Sequence, residues 1–185
     1  MPSKDHHAGN LSPEYALLGF LLAGPSHGYD LHQRVTANLG HVWHISQSQA
    51  YATLKRLERR GDISARVIAQ DKLPARQVFR ITAAGRRRFF KWLDGGIGTT
   101  ARSIRLEFLT RLYFTQLHQP KKLIKIYKAQ LTEIKSTIAR LEDLLKNLPP
   151  DQVFNRLSLE LRLQQMRLIG NWMSGIQAQF HISGK

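Results

Sequence analysis

The chain has 185 residues, 42% of them hydrophobic, enough to bury a core in one domain or two small ones and too many for disorder throughout. Its 28 lysines and arginines against 13 acidic residues give a formal net charge of +15, which favours polyanionic partners such as nucleic acid or an anionic membrane surface. The absence of cysteine excludes disulfides, thiol catalysis and Cys-ligated zinc. The polar start MPSKDHHAGN carries no secretory signal and the apolar run Tyr15 to Gly24 is too short to span a bilayer, so a soluble cytoplasmic protein is expected.

Residues 1–10 read as a disordered start. A first helix, expected over Ser12 to Ala23, is announced by Ser12, Pro13 and Glu14: a hydroxyl to accept from a free amide, a proline where no amide is needed, and an acid at the positive dipole end. The segment GPSHGYDLHQRVTANLG turns at Gly24-Pro25, with His27 in the turn. It continues as a second helix with Leu31, Val35 and Leu39 on one face and Gly40 as the stop. After the linker HVWHI, Ser46 and Gln49 form an S-x-x-Q capping box. Ala50, Leu54 and Leu57 follow at helical spacing, Gln47, Ser48, Lys55, Arg56 and Arg59 point elsewhere, and Gly61 ends the helix.

Next, ISARVIAQ alternates Ile63, Ala65, Val67 and Ala69 against Ser64, Arg66, Ile68 and Gln70. With DKLPA and RQVFRI it predicts a β-hairpin with a basic tip. Thr82 caps the helix AAGRRRFFKWL, which ends before Gly95-Gly96. Three helices, a hairpin and a helix over residues 11–94 describe a winged helix-turn-helix, in which the capped helix enters the major groove.

Residues 95–103 are small and glycine-rich and read as a linker; residues 104–181 read as helical throughout. Ile124, Tyr127, Leu131, Ile134, Ile138, Leu141, Leu145 and Leu148 form a heptad stripe ended by Pro149-Pro150. The last helix, expected from Asp151 to about Phe180, carries one apolar row at Phe154, Leu157, Leu161, Leu168 and Trp172 and another at Leu159, Leu163, Met166 and Met173. Two such rows require two covers, the helix's own hairpin mate and a second protomer. The fold class expected is therefore mainly α: an N-terminal winged helix-turn-helix domain and a C-terminal α-helical dimerisation domain of long antiparallel helices.

The positive charge is unevenly distributed. Met1 to Ile45 holds 2 basic and 3 acidic residues, Ser46 to Lys91 holds 12 and 3, and Trp92 to Lys185 holds 14 and 7. The positive field begins at the capped helix.

The runs LLGFLLAGPSHGYDLHQRV, SQSQAYATLKRLERRGDI and PARQVFRITAAGRRRFFKWL closely resemble the N-terminal domain of PadR-family transcriptional regulators, over roughly Leu11 to Leu93. The resemblance is carried jointly by Pro25, His27, Gly28 and Tyr29, by the S-x-S-Q-x-Y and L-x-R-L-E-x-x-G helix, and by the R-I-T-x-x-G exit of the wing. The helical half, with EFLTRLYF from Glu107 to Phe114, is similar to the larger PadR subfamily, whose final helices dimerise. The resemblance implies a dimeric DNA-binding regulator, usually a repressor, often released by a small ligand. Two positions depart from the family pattern. Ala52 stands where proline is common, which suits the helix, and Asp62 stands where leucine is common, putting a carboxylate at the wing base that is expected to trim DNA affinity.

For Ser46, Gln47, Ser48, Gln49 and Tyr51 the functional expectation is contact with base edges and nearby phosphates from the first turns of a major-groove helix. The bland alternative is an ordinary capped helix start, with Gln49 used in the cap and Tyr51 in the core. Lys55, Arg56, Lys72 and Arg76 are expected at phosphates or the minor groove, unless they merely solvate a face or, like Arg56, pair with nearby acids. Leu157, Leu161, Leu168, Trp172 and Ile176 are expected at the dimer seam. Trp43, Trp92, Phe108 and Tyr113 are candidates for an effector pocket, although aromatics at helical spacing usually belong to a core. His41 and His44 flank Trp43 without a neighbouring carboxylate or thiol, so no metal is expected, and no cofactor. No phosphate-cradling glycine loop, G-x-S-x-G elbow or carboxylate–histidine constellation suggests an enzyme. The alternative functions are a basic helical scaffold, or an activator acting through a partner protein.

Overall fold

The computed structural model describes residues 12–68 and 76–176. The expected disordered start and the tip of the wing, including Lys72, lie outside the described residues, as does everything past Ile176.

Helix α1 spans Glu14–Leu21 and buries nearly every side chain, with Leu17, Leu18 and Leu21 at the centre of the first unit. Its expected cap is not made. Pro13 precedes the helix with no side-chain hydrogen bond to it, and the Ser12 hydroxyl accepts from Arg56 Nη2 at 3.2 Å instead. A charged donor makes the stronger hydrogen bond, and Pro13 has no amide to satisfy.

A two-residue strand β1, Ser26–His27, leads into α2, Gly28–Leu39, which buries Leu31, Val35 and Leu39 as expected. Gly40 follows α2 with right-handed φ −61°, so it ends the helix without the left-handed turn a glycine stop implies. Helix α3 spans Gln47–Arg59 with both hydrogen bonds of its capping box, and ends at Gly61, whose φ of +74° is the conformation that favours glycine.

Strands β2, Ile63–Ile68, and β3, Arg76–Ile81, pair antiparallel from Ile63 opposite Ile81 to Ile68 opposite Arg76, and β1 adds to the other edge of β3. The expected alternation has the right phase but fades along the strand: Ile63 is buried, Ala65 half-buried, and Val67 65% exposed. The hairpin runs off the core, so its outer end has nothing to pack on. Helix α4, Ala83–Leu93, is capped by Thr82 and buries Phe89 and Leu93.

A short helix α5, Ala101–Ser103, capped by Thr100, passes through a π turn at Ile104–Phe108 into α6, Leu109–His118. Helices α7, Leu123–Lys146, and α8, Val153–Ile176, follow as an antiparallel hairpin. The chain forms two units, and their division is not a single cut at the glycine segment. The first holds the residues through Gly96 together with Leu109–Phe114; the second holds Ile97–Phe108 and everything from Thr115. The returning segment joins the first core through Phe114, whose ring lies edge-on to Phe20 and Phe89 at 5.2 and 5.6 Å.

In the second unit the heptad stripe is displaced by part of a turn. Tyr127, Ile134 and Leu141 are buried, but the other buried positions are Leu123, Gln130 and Thr137, while Ile124, Leu131, Ile138 and Leu145 are only half-covered. An apolar pattern marks a face about 100° wide without fixing which edge of it meets the partner. Tyr127 donates its hydroxyl to the Met173 carbonyl, and Leu163, Met166, Met173 and Ile176 supply the α8 side of the hairpin. Among the described residues no helix is long and apolar enough to cross a membrane.

Candidate nucleic-acid interface

Helix α3 is held at its start by its own sequence. Ser46 Oγ accepts from the Gln49 amide at 3.2 Å and Gln49 Oε1 accepts from the Ser46 amide at 2.8 Å. The cap uses Oε1 of the Gln49 side chain and not its amide donors, and the residue is exposed. Ala50, Thr53, Leu54 and Leu57 are buried, and Gln47, Ser48, Gln49, Lys55 and Arg59 are exposed on the opposite side. Tyr51 is half-buried across Gly28, where an added Cβ would sit 2.7 Å from its ring. The glycine of the G-Y pair is thus what lets α2 and α3 approach.

The inner flank of α3 holds a charge cluster that the sequence did not announce. Glu14, on α1, accepts from Arg56 Nε at 2.6 Å, Arg60 Nη2 at 2.6 Å and Arg88 Nη2 at 2.7 Å. Asp62 accepts from Arg60 Nε at 3.1 Å and from Arg88 Nη1 at 2.5 Å. Both carboxylates are buried and the three guanidinium groups half-exposed, so two anions and three cations tie α1, α3, β2 and α4 together. Burial pushes the Glu14 carboxyl up, but hydrogen bonds from Arg60, Arg88 and Arg56 outweigh it and hold its pKa at about 2.

The cluster corrects the expectation for Asp62 and favours, for Arg56, the alternative of pairing with nearby acids. Asp62 does not present a free carboxylate at the wing base, because Arg60 and Arg88 neutralise it inside the fold. Arg56 is an internal ion-pair partner with its side chain 43% exposed, so its charge is already committed to Glu14. The cation row that α3 turns outward is Lys55 and, one turn on, Arg59.

Asp62 also fixes the wing through its backbone. The Thr82 hydroxyl donates to the carbonyls of Gly61 and Asp62, at 2.7 and 3.0 Å, and its oxygen accepts from the Gly85 amide at 3.1 Å. A Cβ on Gly85 would lie 2.0 Å from the Asp62 carbonyl oxygen. The T-x-x-G signature is therefore a clasp closing α4 onto the turn after α3.

On the wing, Arg76 opens β3. Arg66 and Arg80 are exposed, and the pairing of Ser64 with Arg80 and of Arg66 with Val78 puts both on one face of the hairpin. The alternation of ISARVI separated that face from Ile63 and Ala65 in the sequence, without singling out its arginines as contacts.

The four candidate effector aromatics divide between the two units. Trp43 Nε1 donates to Thr110 Oγ1 at 2.7 Å. Trp92 stacks on Tyr15 with ring centroids 4.3 Å apart, and the Arg111 guanidinium lies over the Trp92 ring, 4.8 Å from its centroid. Tyr113 packs against Phe20 and Phe114. These three belong to the first unit, whereas Phe108 is fully buried in the second. Among the described residues no group of three or more His, Cys, Asp and Glu is placed to hold a metal ion.

On α8, Leu157, Leu161, Leu168 and Trp172 are exposed, Leu168 to 71%. Ile176 does not belong with them: it is 6% exposed and lies on the row that packs within the hairpin, three residues beyond Met173.

The family model described as the transcriptional regulator PadR-like family matches residues 17–91. The chain is 26% identical over 129 residues, 70% of each chain, to the negative transcriptional regulator PadR of Bacillus subtilis. It is 29% identical over 86 residues, 46% of each chain, to the probable transcriptional regulator Rv1176c of Mycobacterium tuberculosis. Among solved structures, Bacillus subtilis PadR in complex with operator DNA matches with a TM-score of 0.45 and 25% identity, over 90% of this chain and 98% of that one. The matched residues span the capped helix, the hairpin and the T-x-x-G clasp, and it is this part of the chain that is similar to the PadR-like family of transcriptional regulators.

Proposed function

We propose that the chain is a homodimeric repressor that reads an inverted-repeat operator and is released by a small ligand. The observation that carries the proposal is the outer side of α3, where Gln47, Ser48 and Gln49 stand exposed beside Lys55 and Arg59 while the apolar side is fully buried. Glutamine matches the donor–acceptor pair of adenine, and the lysine and arginine suit phosphates. Arg66 and Arg80 give the wing its own cations.

Dimerisation is supported by the exposed row of Phe154, Leu157, Leu161, Leu168 and Trp172, an apolar strip on a helix whose other side is already covered. A two-fold axis there would repeat the reading helix at a fixed spacing, which suits a palindrome. The sign of regulation follows the Bacillus subtilis relative, whose name describes a negative regulator. A ligand would act through its differential affinity for two separations of the reading helices.

Selection of bound sequences from a random duplex pool, at two salt concentrations, tests the reading. An enriched inverted repeat whose preference persists at the higher salt supports it. Uniform, salt-labile binding without a motif returns the chain to the basic-scaffold alternative.

A further inference from the structure

We propose that the lysine row of α7 is a second duplex-binding surface, one that holds phosphates without reading bases. Lys121, Lys125, Lys128 and Lys135 recur at steps of four, three and seven, so they share one face of the helix. All four are exposed, and that face lies opposite the buried stripe of Tyr127, Ile134 and Leu141. Along the axis the first three stand about 4.5–6 Å apart. A duplex presents one phosphate per about 3.4 Å on each strand, so neighbouring lysines can meet neighbouring phosphates.

Nothing among the described residues accounts for the row. Among the described residues none of these four side chains takes part in an ion pair or side-chain hydrogen bond, in contrast to Arg56, Arg60 and Arg88. Glu133, the one acid of α7 before Glu142, projects to another side of the helix. Lys121, in the 3-10 turn Pro120–Lys122 that leads into α7, and Lys125, in the first turn of α7, stand where the helix dipole is positive and disfavours cations. Like charges at i and i+4 repel. A row that works against its own helix and has no internal counter-ion fits an external anion.

Duplex DNA is favoured over a lipid surface because the face carries Thr132 and Ala139 between and beyond its lysines and no large apolar side chain to insert. The choice of DNA rests on the DNA-binding reading of the first unit.

The test uses the full chain with Lys121, Lys125, Lys128 and Lys135 all changed to Gln, binding a duplex without operator sequence. The slope of log affinity against log salt should fall by about 3.6, since each of the four phosphate contacts contributes about 0.9. The variant with Arg at all four positions should keep the wild-type slope. Because any loss of charge weakens attraction to a polyanion, the second measurement is local. Acetylation of the wild-type protein, read by mass spectrometry, should be slowed several-fold at these four lysines by the duplex.

A slope change below about 1, or acetylation rates indifferent to the duplex, overturns the proposal. So does protection by phosphatidylglycerol vesicles without protection by DNA. The pool selection reports on α3 independently: an enriched motif with no role for the lysines sinks only this inference, whereas loss of the motif in the wild type sinks the repressor reading.

Discussion

The winged unit and the α7–α8 hairpin handle their difficult groups in opposite ways. In the first, Glu14 and Asp62 are buried, yet each meets arginine at hydrogen-bond distance, and the Thr82 clasp satisfies the turn at Gly61–Asp62. In the second, Gln130 is buried in the seam with no hydrogen-bond partner for its Nε2 among the described residues, a row of leucines and Trp172 faces solvent on α8, and a row of lysines stands unpaired on α7. The buried carboxylates of the first unit are met by its own arginines. The second has groups that only another molecule would satisfy, which is the property expected of an assembly element.

The contrast is most easily broken on α8. Leu168→Asp with Trp172→Ala should weaken association of the chain by about 3–5 kcal/mol, the burial of two large apolar side chains, and operator affinity should fall with it. Analytical ultracentrifugation checks the first effect. A variant that stays dimeric would put the seam elsewhere.

Closure of the first unit is tested at its hub. Glu14→Ala leaves three guanidinium groups facing one another with Asp62 as sole counter-ion, and about 2–4 kcal/mol of stability should be lost after allowing for their partial exposure. Urea denaturation of the two variants side by side should find this loss in Glu14→Ala and little loss in the four-lysine variant.

Acid should act on the same hub. The folded-state pKa of Glu14, about 2, lies below its ordinary 4.5, so the stabilisation is fully present above that ordinary value and is lost as pH falls toward 2. The loss is roughly 2–3 kcal/mol, and it should be absent from the Glu14→Ala variant when unfolding is followed across that range.

Smallest in stability terms are changes to the reading side of α3. Gln47→Ala or Ser48→Ala should leave the unfolding midpoint within about 0.5 kcal/mol while flattening the base preference at one operator position by about 1–3 kcal/mol. A large fall in stability would mean that these side chains support the helix.

What was legible in the sequence was what is local. The Ser46–Gln49 box, the Thr82 cap, the glycine stop at Gly61 and the strand alternation each involve residues a few positions apart, and the structure contains all of them. The Ser12 cap failed because a distant arginine takes its hydroxyl. The ion cluster was out of reach for the same reason: Glu14 and Arg88 meet across 74 positions, and nothing in either neighbourhood names the other. Strand β1 is two residues long and exists through its pairing with β3, so no propensity could have marked it. Of the candidate site, the exposed face of α3 was readable from periodicity and an acid partner for Arg56 was an open alternative, but that the partner is Glu14, 42 positions away, was not readable.

The π turn at Ile104–Phe108 bears on how the chain tolerates changes in its length. Such a turn is a single extra residue absorbed by a helix without interrupting it. Removing one residue there should restore plain α-helical bonding and leave the helix continuous from Ala101 to His118. The wing has no such slack. The β2–β3 pairing and the clasp on Asp62 count residues, so a one-residue deletion in either strand would turn the inner face of the wing outward.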